Sequence, residues 1–269
     1  MTFFILLFFL ILSGVWGFFI EPNCIKVEKL FLKAKNLPLS FQGLKILHLS
    51  DIHFKKFDRK EKKVLEILNR LNPDFIFITG DIIDEKTRDF ESCRKFLEEL
   101  SRNRQGKIYG VYGNHEHRNK RFGTLADLLR ENKIEILDNE SKKIEKNGEF
   151  FYLIGVNDPY SGHDDIEKAM EGVENNSFKI LLAHSPEIFR KAKDKNINLV
   201  LVGHTHGAQV NLPFLSYFIL PLKYDKKYKR GLFLEKSTYL YVNRGIGETF
   251  LPIRLNAFPE ITLIELKHD

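Results

Sequence analysis

The chain has 269 residues, of which 43% are hydrophobic and 29% are charged. This composition excludes an intrinsically disordered protein and a polytopic membrane protein, and the length suffices for one globular domain with a sizeable core. The formal net charge of +6 favours anionic surroundings such as phosphates, nucleic acid or anionic lipid, although lysine-rich surfaces are often only solvated. Cys24 and Cys93 give no disulfide framework and fit a reducing compartment slightly better.

The chain begins with a long uncharged apolar segment. It runs from Phe3 to Ile20, and as a helix it would extend about 27 Å, close to the thickness of a hydrocarbon core. We therefore predict a transmembrane anchor over residues 1–20. A cleaved signal peptide is the alternative, since Val15 and Gly17 are small, but no Lys or Arg precedes the apolar run.

The charges that flank this segment predict its orientation. Only the terminal amine lies before it, whereas four lysines follow closely, Lys26, Lys29, Lys33 and Lys35. By the positive-inside rule we expect a single-pass membrane protein whose following domain is cytoplasmic, and the extracytoplasmic face is the alternative.

The rest of the chain predicts one domain with buried strands. The composition changes near residue 21, so we predict a juxtamembrane linker over residues 21–42 and a globular domain over residues 43–269. Short apolar runs rich in Ile, Leu, Val and Phe predict buried strands. The early runs are Leu44–Leu49, Phe75–Thr79, Ile108–Tyr112, Phe178–Ala183 and Leu199–Val202.

The segments between and after these runs indicate the fold class. Lys62–Leu71 has apolar side chains on one helical face, and the stretch 90–100 is also predicted to be helical. Alternating strands and helices imply an α/β sheet. Later runs lack intervening helices and predict hairpins; they are Phe151–Val156, Gly231–Leu234, Tyr239–Val242 and Ile261–Leu266. We therefore expect an α/β fold of two packed mixed β-sheets flanked by helices.

Residues of metal-ligand type follow five of the predicted strands. They are Asp51 and His53, then Gly80 and Asp81, then Gly113–Glu116, then His184, and then Gly203–His206. In open α/β sheets ligands bind beyond the carboxyl ends of the strands, so these side chains are expected to converge. One histidine after a strand is usually structural, and one Gly-Asp pair is usually a turn, but five in order predict a metal site.

This ordered set resembles the calcineurin-like metallophosphoesterase family, whose pattern DxH, GDxxD, GNH[DE], H and GHxH is complete from Asp51 to His206. The resemblance implies a sandwich of two sheets with two metal ions at the strand ends. It implies that Asp51, His53 and His206 hold the first ion, that Asn114, His184 and His204 hold the second, and that Asp81 bridges them. Residues 43–269 would then form the catalytic domain.

The ligand types restrict the metal and the chemistry. Imidazole with carboxylate suits Mn, Fe or Zn better than calcium or a structural zinc, and the native metal stays open. Two divalent ions with two carboxylates leave a positive centre that attracts a phosphate anion. The expected reaction is hydrolysis of a phosphodiester or pyrophosphate by a hydroxide shared between the ions.

The resemblance also implies two catalytic residues outside the ligand set. His115 would lie over the substrate and protonate or stabilise the leaving oxygen. Asp84 would orient His115, and a helix N-cap or turn is an almost equal alternative for Asp84.

Two later segments resemble a narrower bacterial branch of the family with an N-terminal membrane segment. They are residues 203–213 and 243–266, with Ala208 where the branch usually has glycine. Some members act on lipid-linked pyrophosphates, notably as UDP-2,3-diacylglucosamine hydrolases, and others are general phosphoesterases. The resemblance therefore implies a phosphoester substrate that is lipid-linked in part of the branch.

Two further features bear on substrate contact. Residues 212–230 place an apolar stretch before five cations, which suits a loop that dips into a membrane, and a buried strand or helix followed by a solvated charge run is the alternative. Arg244 and Arg254 are candidate phosphate contacts because guanidinium binds oxyanions in a bidentate manner.

Three functions compete. The first is a membrane-anchored enzyme for lipid-linked or nucleotide-linked phosphoesters. The second is a nuclease or nucleotide phosphodiesterase, but no stacking-aromatic groove or capping domain is visible, so nucleic acid is a poor candidate. The third is a catalytically silent metal-binding scaffold, which would have lost His115 or a ligand, and none is missing. The oligomeric state cannot be read from the sequence.

Overall fold

The computed structural model describes residues 2–104, 107–213, 220–223 and 225–269. The strands are β1 (Lys26–Ala34), β2 (Leu44–Leu49), β3 (Phe75–Thr79), β4 (Ile108–Val111), β5 (Glu135–Ile136), β6 (Glu140–Lys146), β7 (Glu149–Gly155), β8 (Lys179–Leu182), β9 (Leu199–Val202), β10 (Gly231–Glu235), β11 (Thr238–Val242) and β12 (Glu260–His268). The α-helices are α1 (Thr2–Val15), α2 (Arg59–Leu71), α3 (Phe90–Ser101), α4 (Asn114–Arg118), α5 (Phe122–Glu131), α6 (Ile166–Ala169) and α7 (Phe189–Ala192).

The first six-stranded sheet has the order β1, β12, β2, β3, β4, β5. Strands β2 to β5 are parallel, whereas β12 is antiparallel to β2. The parallel strands are connected through helices α2, α3, α4 and α5. The carboxyl ends of β2, β3 and β4 therefore lie along one edge of the sheet.

The second six-stranded sheet has the order β10, β11, β9, β8, β7, β6. Strands β11, β9, β8 and β7 are parallel, and antiparallel strands lie at both ends. The hairpin prediction is confirmed for β10 and β11. It is wrong for β12, which leaves this sheet and joins the first one between β1 and β2.

Apolar layers hold the two sheets and their helices together. Between the sheets pack side chains such as Phe77, Val111, Phe151, Leu182 and Ile264. On the outer face of the first sheet lie α2, α3 and α5, and on the outer face of the second lie α6 and α7. Two packed mixed sheets flanked by helices are the architecture that the sequence predicted.

Residues 26–34 correct the prediction of a linker over residues 21–42. They form β1, which pairs with β12 over its whole length, and Leu32 and Ala34 are buried between the sheets. Lysines on this edge strand keep other strands from pairing with it, and we had read them as juxtamembrane charges. The first sheet therefore begins before the predicted boundary at residue 43.

The apolar N-terminal segment is divided into two elements. Helix α1 ends at Val15 after 14 residues, and a five-residue π-helix follows over Trp16–Ile20. In the part of the chain that the structure describes, no helix is both long and apolar enough to cross a bilayer. The transmembrane anchor predicted over residues 1–20 is therefore not supported by the structure.

Candidate metal centre

The predicted ligands meet where the carboxyl ends of both sheets face each other. The first sheet contributes Asp51 and His53 after β2, Asp81 after β3 and Asn114 at the start of α4. The second contributes His184 after β8, and His204 and His206 after β9. All seven side chains are buried. The convergence that the sequence predicted is therefore present in the structure.

The backbone at these strand ends adopts unusual angles. Five of the seven residues have φ between 46° and 68°, namely Asp51, His53, Asp81, His204 and His206. Non-glycine residues rarely adopt this left-handed conformation, and where they do, the position is often functional. The sharp turns direct these side chains into the crevice between the sheets.

Asp51, His53 and His206 form one candidate ion site. The His206 Nε2 atom lies 3.2 Å from His53 Nε2 and 3.3 Å from Asp51 Oδ1. His206 Nδ1 lies 3.2 Å from the Gly247 carbonyl oxygen. Because a carbonyl only accepts, Nδ1 carries the proton there and the Nε2 lone pair faces the site.

Asp81, His184 and His204 form a second candidate ion site. His184 Nδ1 donates to the Thr79 carbonyl oxygen over 2.8 Å, so in the neutral ring the Nε2 lone pair faces the site. That Nε2 lies 3.1 Å from Asn114 Oδ1 and 3.1 Å from His204 Nδ1. His204 Nε2 lies 3.1 Å from the Pro221 carbonyl oxygen, which leaves its Nδ1 as an acceptor.

Asp81 lies between the two sites. Its Oδ2 is 3.2 Å from His184 Nε2 and 3.6 Å from His53 Nε2, and its Oδ1 accepts a hydrogen bond from the His115 backbone N–H. This position fits a bridging carboxylate.

The donor set fits divalent cations. The imidazole nitrogens that point into the site lie about 3 Å from one another and from carboxylate oxygens. The opposite ring nitrogens of His184 and His206 donate to backbone carbonyl oxygens, which fixes the tautomers. Facing acceptors repel unless a cation lies between them, and ligating histidines commonly donate their other N–H in this way. The residues therefore fit metal ions, although they do not identify the metal.

Burial sets the charge of most of these ligands. It lowers the pKa of His53 and His206 well below the usual range, and that of His204 to about 4. It also raises the pKa of the Asp51 carboxyl to about 6. Neutral imidazoles are the form that binds metal.

His184 and Asp81 behave differently because they pair with each other. Burial opposes charge on both, but the Asp81 carboxylate raises the pKa of His184 well above its usual range, and His184 holds the pKa of Asp81 well below its own. His184 Nε2 and Asp81 Oδ2 lie within ion-pair distance of each other, at 3.2 Å.

His115 faces the same space and has a defined tautomer. Its Nδ1 accepts the Glu85 backbone N–H over 3.2 Å, so in the neutral ring the proton is on Nε2. Nε2 lies 4.0 Å from Asp81 Oδ2, and the ring lines the cavity above the metal sites. His115 therefore presents a donor to the cavity.

Asp84 is close to His115 but serves mainly as a turn residue. Its Oδ2 is 3.9 Å from His115 Nδ1 and 3.7 Å from His53 Nδ1, both beyond hydrogen-bond distance. Its Oδ1 accepts the Lys86 backbone N–H over 2.9 Å. The turn that was the alternative for Asp84 is present, Glu85 N–H contacts His115 directly, and the orienting role of Asp84 stays a prediction.

Sequence reasoning missed Glu116 as a supporting residue. Its buried carboxylate accepts the backbone N–H groups of Asp81, Ile83 and Gly113 at 2.9, 3.0 and 2.7 Å. It thereby ties the end of β3 to the end of β4. Burial raises the pKa of this carboxyl to about 7. The final residue of the GNHE motif was visible in the sequence, but its buried position was not.

We expect Glu116→Gln to loosen the metal centre. The amide NH₂ group would face backbone N–H groups, so at least one buried donor would lose its acceptor, at about 2 kcal/mol. Metal affinity is expected to fall roughly tenfold, as for other residues that support metal ligands. Thermal unfolding and metal titration would measure both. Glu98→Gln, at an exposed position on α3, should change neither; equal behaviour of the two variants would contradict this role.

The two arginines predicted to contact substrate have structural positions instead. Arg254 is 0% exposed and donates to four carbonyl oxygens, those of Arg244, Gly245, Gly247 and Ala257. A side chain without exposed surface cannot bind a phosphate, so the prediction is wrong for Arg254. Arg244 forms ion pairs with Glu28 and Glu260 and is not supported as a phosphate contact either.

The loop after His206 contains a strained alanine. Ala208 has φ 69°, a conformation that favours glycine. Its buried methyl group packs with Leu220 and Leu222. This packing offsets part of the backbone strain and gives a physical reason for alanine at a position where glycine was expected.

The predicted membrane-dipping segment 212–230 falls partly outside the described residues, which omit 214–219 and residue 224. Leu220 and Leu222 are buried, as the alternative interpretation expects. Arg230 donates to the Asn256 carbonyl oxygen, and Lys227 pairs with Glu235.

A cavity of about 350 Å³ opens above the two candidate ion sites. Asp81, Asn114, His115, His204 and His206 form its floor. An apolar wall is formed by Val210, Phe250, Leu251 and Ile253, and Arg118 and Tyr160 also line the cavity. Arg118 was not predicted and is an exposed cation beside His115.

Residues 44–208 match the calcineurin-like phosphoesterase family, and the chain belongs to this family of metal-dependent phosphoester hydrolases. It is 34% identical over 262 residues to the metallophosphoesterase YkuE of Bacillus subtilis, covering 95% of this chain and 91% of that protein. It is 28% identical over 230 residues to phosphodiesterase YaeI of Escherichia coli, covering 82% of each. It is 27% identical over 317 residues to UDP-2,3-diacylglucosamine pyrophosphatase LpxG of Chlamydia trachomatis, covering 96% and 94%. The family resemblance noted in the sequence is confirmed.

Proposed function

We propose that this protein hydrolyses a phosphodiester or pyrophosphate with an apolar substituent, such as UDP-2,3-diacylglucosamine, using two divalent ions. The observation that carries the proposal is the cavity, which joins the ligand cluster to an apolar wall of Val210, Leu251 and Ile253. A charged phosphate can occupy the floor while an apolar group lies along this wall. The likeness to LpxG over most of both chains supports a lipid-linked substrate.

The candidate ligands and His115 have separate expected roles in catalysis. Asp51, His53 and His206 would hold one ion, Asn114, His184 and His204 the other, and Asp81 both. Two such ions supply charge stabilisation at the phosphoryl oxygens and lower the pKa of water. The native metals stay undetermined among Mn, Fe and Zn. His115 directs its Nε2 proton into the cavity, where it can pass to the leaving oxygen as the ester bond breaks.

Membrane association is part of the proposal. Helix α1 exposes apolar side chains, including Phe8, Phe9 and Leu10, which favours insertion into lipid. A cytoplasmic catalytic domain stays part of the proposal on the sequence pattern alone, since three of the four lysines that follow lie on β1, and the extracytoplasmic face stays the alternative.

The test is turnover of UDP-2,3-diacylglucosamine by the purified, Mn-loaded full chain in detergent, beside bis(p-nitrophenyl) phosphate. Hydrolysis of both supports the proposal. Hydrolysis of the simple diester alone would keep the phosphoesterase and discard this lipid substrate. Failure with both substrates under Mn, Fe and Zn would instead favour the metal-binding scaffold.

We expect His115→Ala to reduce kcat by about 10²-fold without changing metal content, because it removes the proton donor and no proposed ligand. The loss should be larger for a diester with a poor leaving group than for a p-nitrophenyl ester, which departs without protonation. Steady-state kinetics on both substrates measure this. His268→Ala, at an exposed position, is the control. Unchanged turnover in His115→Ala would show that the acid assignment is wrong.

A further inference from the structure

An exposed apolar tip stands at the mouth of the metal cavity. The Phe250 side chain is 98% exposed and Leu251 is 59% exposed. The backbone of Phe250 has φ 57°, which a bulky residue rarely adopts. An exposed ring on a strained backbone is unfavourable in water, and such strain is typical of functional positions.

The tip is fixed relative to the metal centre. Gln209 accepts the Thr249 backbone N–H and donates to the carbonyl oxygens of Thr249 and Leu251, at 3.0, 3.1 and 3.0 Å. Gln209 follows the candidate ligand His206 by three residues. The exposure of Phe250 is therefore a property of an ordered loop.

The N-terminal segment is attached to the same loop. The Gly17 carbonyl oxygen accepts the Arg254 backbone N–H over 2.9 Å. A Cβ atom at Gly17 would lie 3.2 Å from Ile253 Cγ1, and Ile253 lines the cavity. The end of the apolar segment therefore touches the wall of the cavity whose mouth carries Phe250.

Helix α1 is exposed around its whole circumference. Five consecutive side chains, from Phe8 to Leu12, are exposed apolar groups, and at about 100° per residue they cover every face of the helix. A protein partner would cover one face, whereas a lipid layer surrounds a helix on all sides. Lipid is therefore the occupant that these observations favour.

Cations line a second cavity at the tip. This cavity shares His115, Arg118, Thr249 and Phe250 with the first and is also lined by Lys55, Lys86 and Arg88. Among the described residues, none of these four cations has an ion-pair partner. The carboxylates in the same cavity are Asp84, Glu85 and Asp89, and Asp84 and Asp89 accept backbone N–H groups. The cations remain available to lipid phosphates.

We propose that Phe250, Leu251 and helix α1 form one membrane-contact surface, which holds the mouth of the metal cavity against an anionic lipid layer. Substrate then enters the cavity directly from the lipid layer. Its phosphate reaches the candidate ligands while part of its apolar group stays in the lipid. This inference rests on the proposed lipid-linked substrate for its purpose, but the contact itself can be measured without turnover.

The first test places a tryptophan at the tip. The full chain with Phe250→Trp is bound to vesicles of phosphatidylcholine and phosphatidylglycerol with dibrominated acyl chains, and its tryptophan fluorescence is measured. The natural chain has Trp16 as its only tryptophan, and its emission is subtracted as background. We expect a blue shift and loss of emission at position 250. Phe31→Trp is the matched control, because Phe31 is 64% exposed on β1. Equal quenching at both positions, or none at 250 while the chain is vesicle-bound, overturns the proposal.

The second test removes the tip. Phe250→Ser should weaken vesicle partitioning roughly tenfold, the effect of withdrawing one buried phenyl ring, whereas Phe31→Ser should not. Thermal unfolding and metal content verify folding. If the natural chain were a dimer and Phe250→Ser a monomer, with vesicle partitioning unchanged, the tip would contact a second copy of the chain. That result would overturn the lipid contact. Neither test uses hydrolysis, so a failure of the proposed reaction is a separate result.

Discussion

Asp81→Asn is expected to reduce kcat/KM for bis(p-nitrophenyl) phosphate by about 10³-fold or more, corresponding to several kcal/mol of lost charge stabilisation. The asparagine keeps the size of the side chain but loses the charge that lies between His184 and His53. In asparagine an NH₂ group replaces one of the two carboxylate oxygens. The side chain therefore cannot offer one oxygen to each of two ions.

Metal stoichiometry measured by mass spectrometry separates this explanation from a general folding defect. We expect fewer than two bound ions in Asp81→Asn and an unchanged number in Asp127→Asn, whose side chain is exposed on α5 and pairs only with Arg130 among the described residues. Full metal content together with full activity in Asp81→Asn would contradict the bridging position.

Arg254→Met is expected to destabilise the fold by about 3–5 kcal/mol, because it leaves several buried carbonyl oxygens without their donor. For a chain of this size the midpoint of thermal unfolding should fall by roughly 10 °C. The Gly247 carbonyl oxygen, which receives a hydrogen bond from His206, is one of the acceptors. Metal binding should therefore weaken together with stability.

The same variant distinguishes two roles for Arg254. A substrate contact predicts a higher KM with an unchanged unfolding midpoint, whereas the buried position predicts a lower midpoint. Arg70→Met, at an exposed position near the end of α2, controls for the change in net charge and should leave the midpoint unchanged. A stable Arg254→Met variant with a raised KM would restore the role that the sequence suggested.

The candidate ligands could be predicted because their signal is local. Each lies within a few residues of a strong apolar strand, and the carboxyl ends of parallel strands share one edge of a sheet. The order of motifs along the chain then supplied the set of seven. Their convergence in space follows from the two-sheet architecture, which the runs of apolar residues indicated.

The strands that we missed lie at the edges of sheets and carry polar residues. Strand β6 has the sequence ESKKIEK with Ile144 as its one buried side chain, and in β1 only Leu32 and Ala34 are buried. Edge strands show weak apolar periodicity because only part of one face is covered. Their assignment depends on the partner strand, which no short window of sequence contains.

The roles of buried polar residues could not be predicted from residue type. Arg254 and Glu116 both looked suited to a ligand or a surface, yet the first binds backbone carbonyl oxygens and the second binds backbone N–H groups. Guanidinium and carboxylate groups satisfy peptide groups as well as phosphates or metals. The burial that decides between these partners arises from distant segments.

The ligands come from both sheets, four from the first and three from the second, so bound ions would connect the two halves of the sandwich. Ions that bind the folded chain and not the unfolded one add a free energy of stabilisation that grows with the logarithm of their concentration. Each tenfold rise in free metal above the dissociation constant then adds about 1.4 kcal/mol per ion. With such ions bound, the resistance of this fold to unfolding would depend on the metal supply of its surroundings as well as on its sequence.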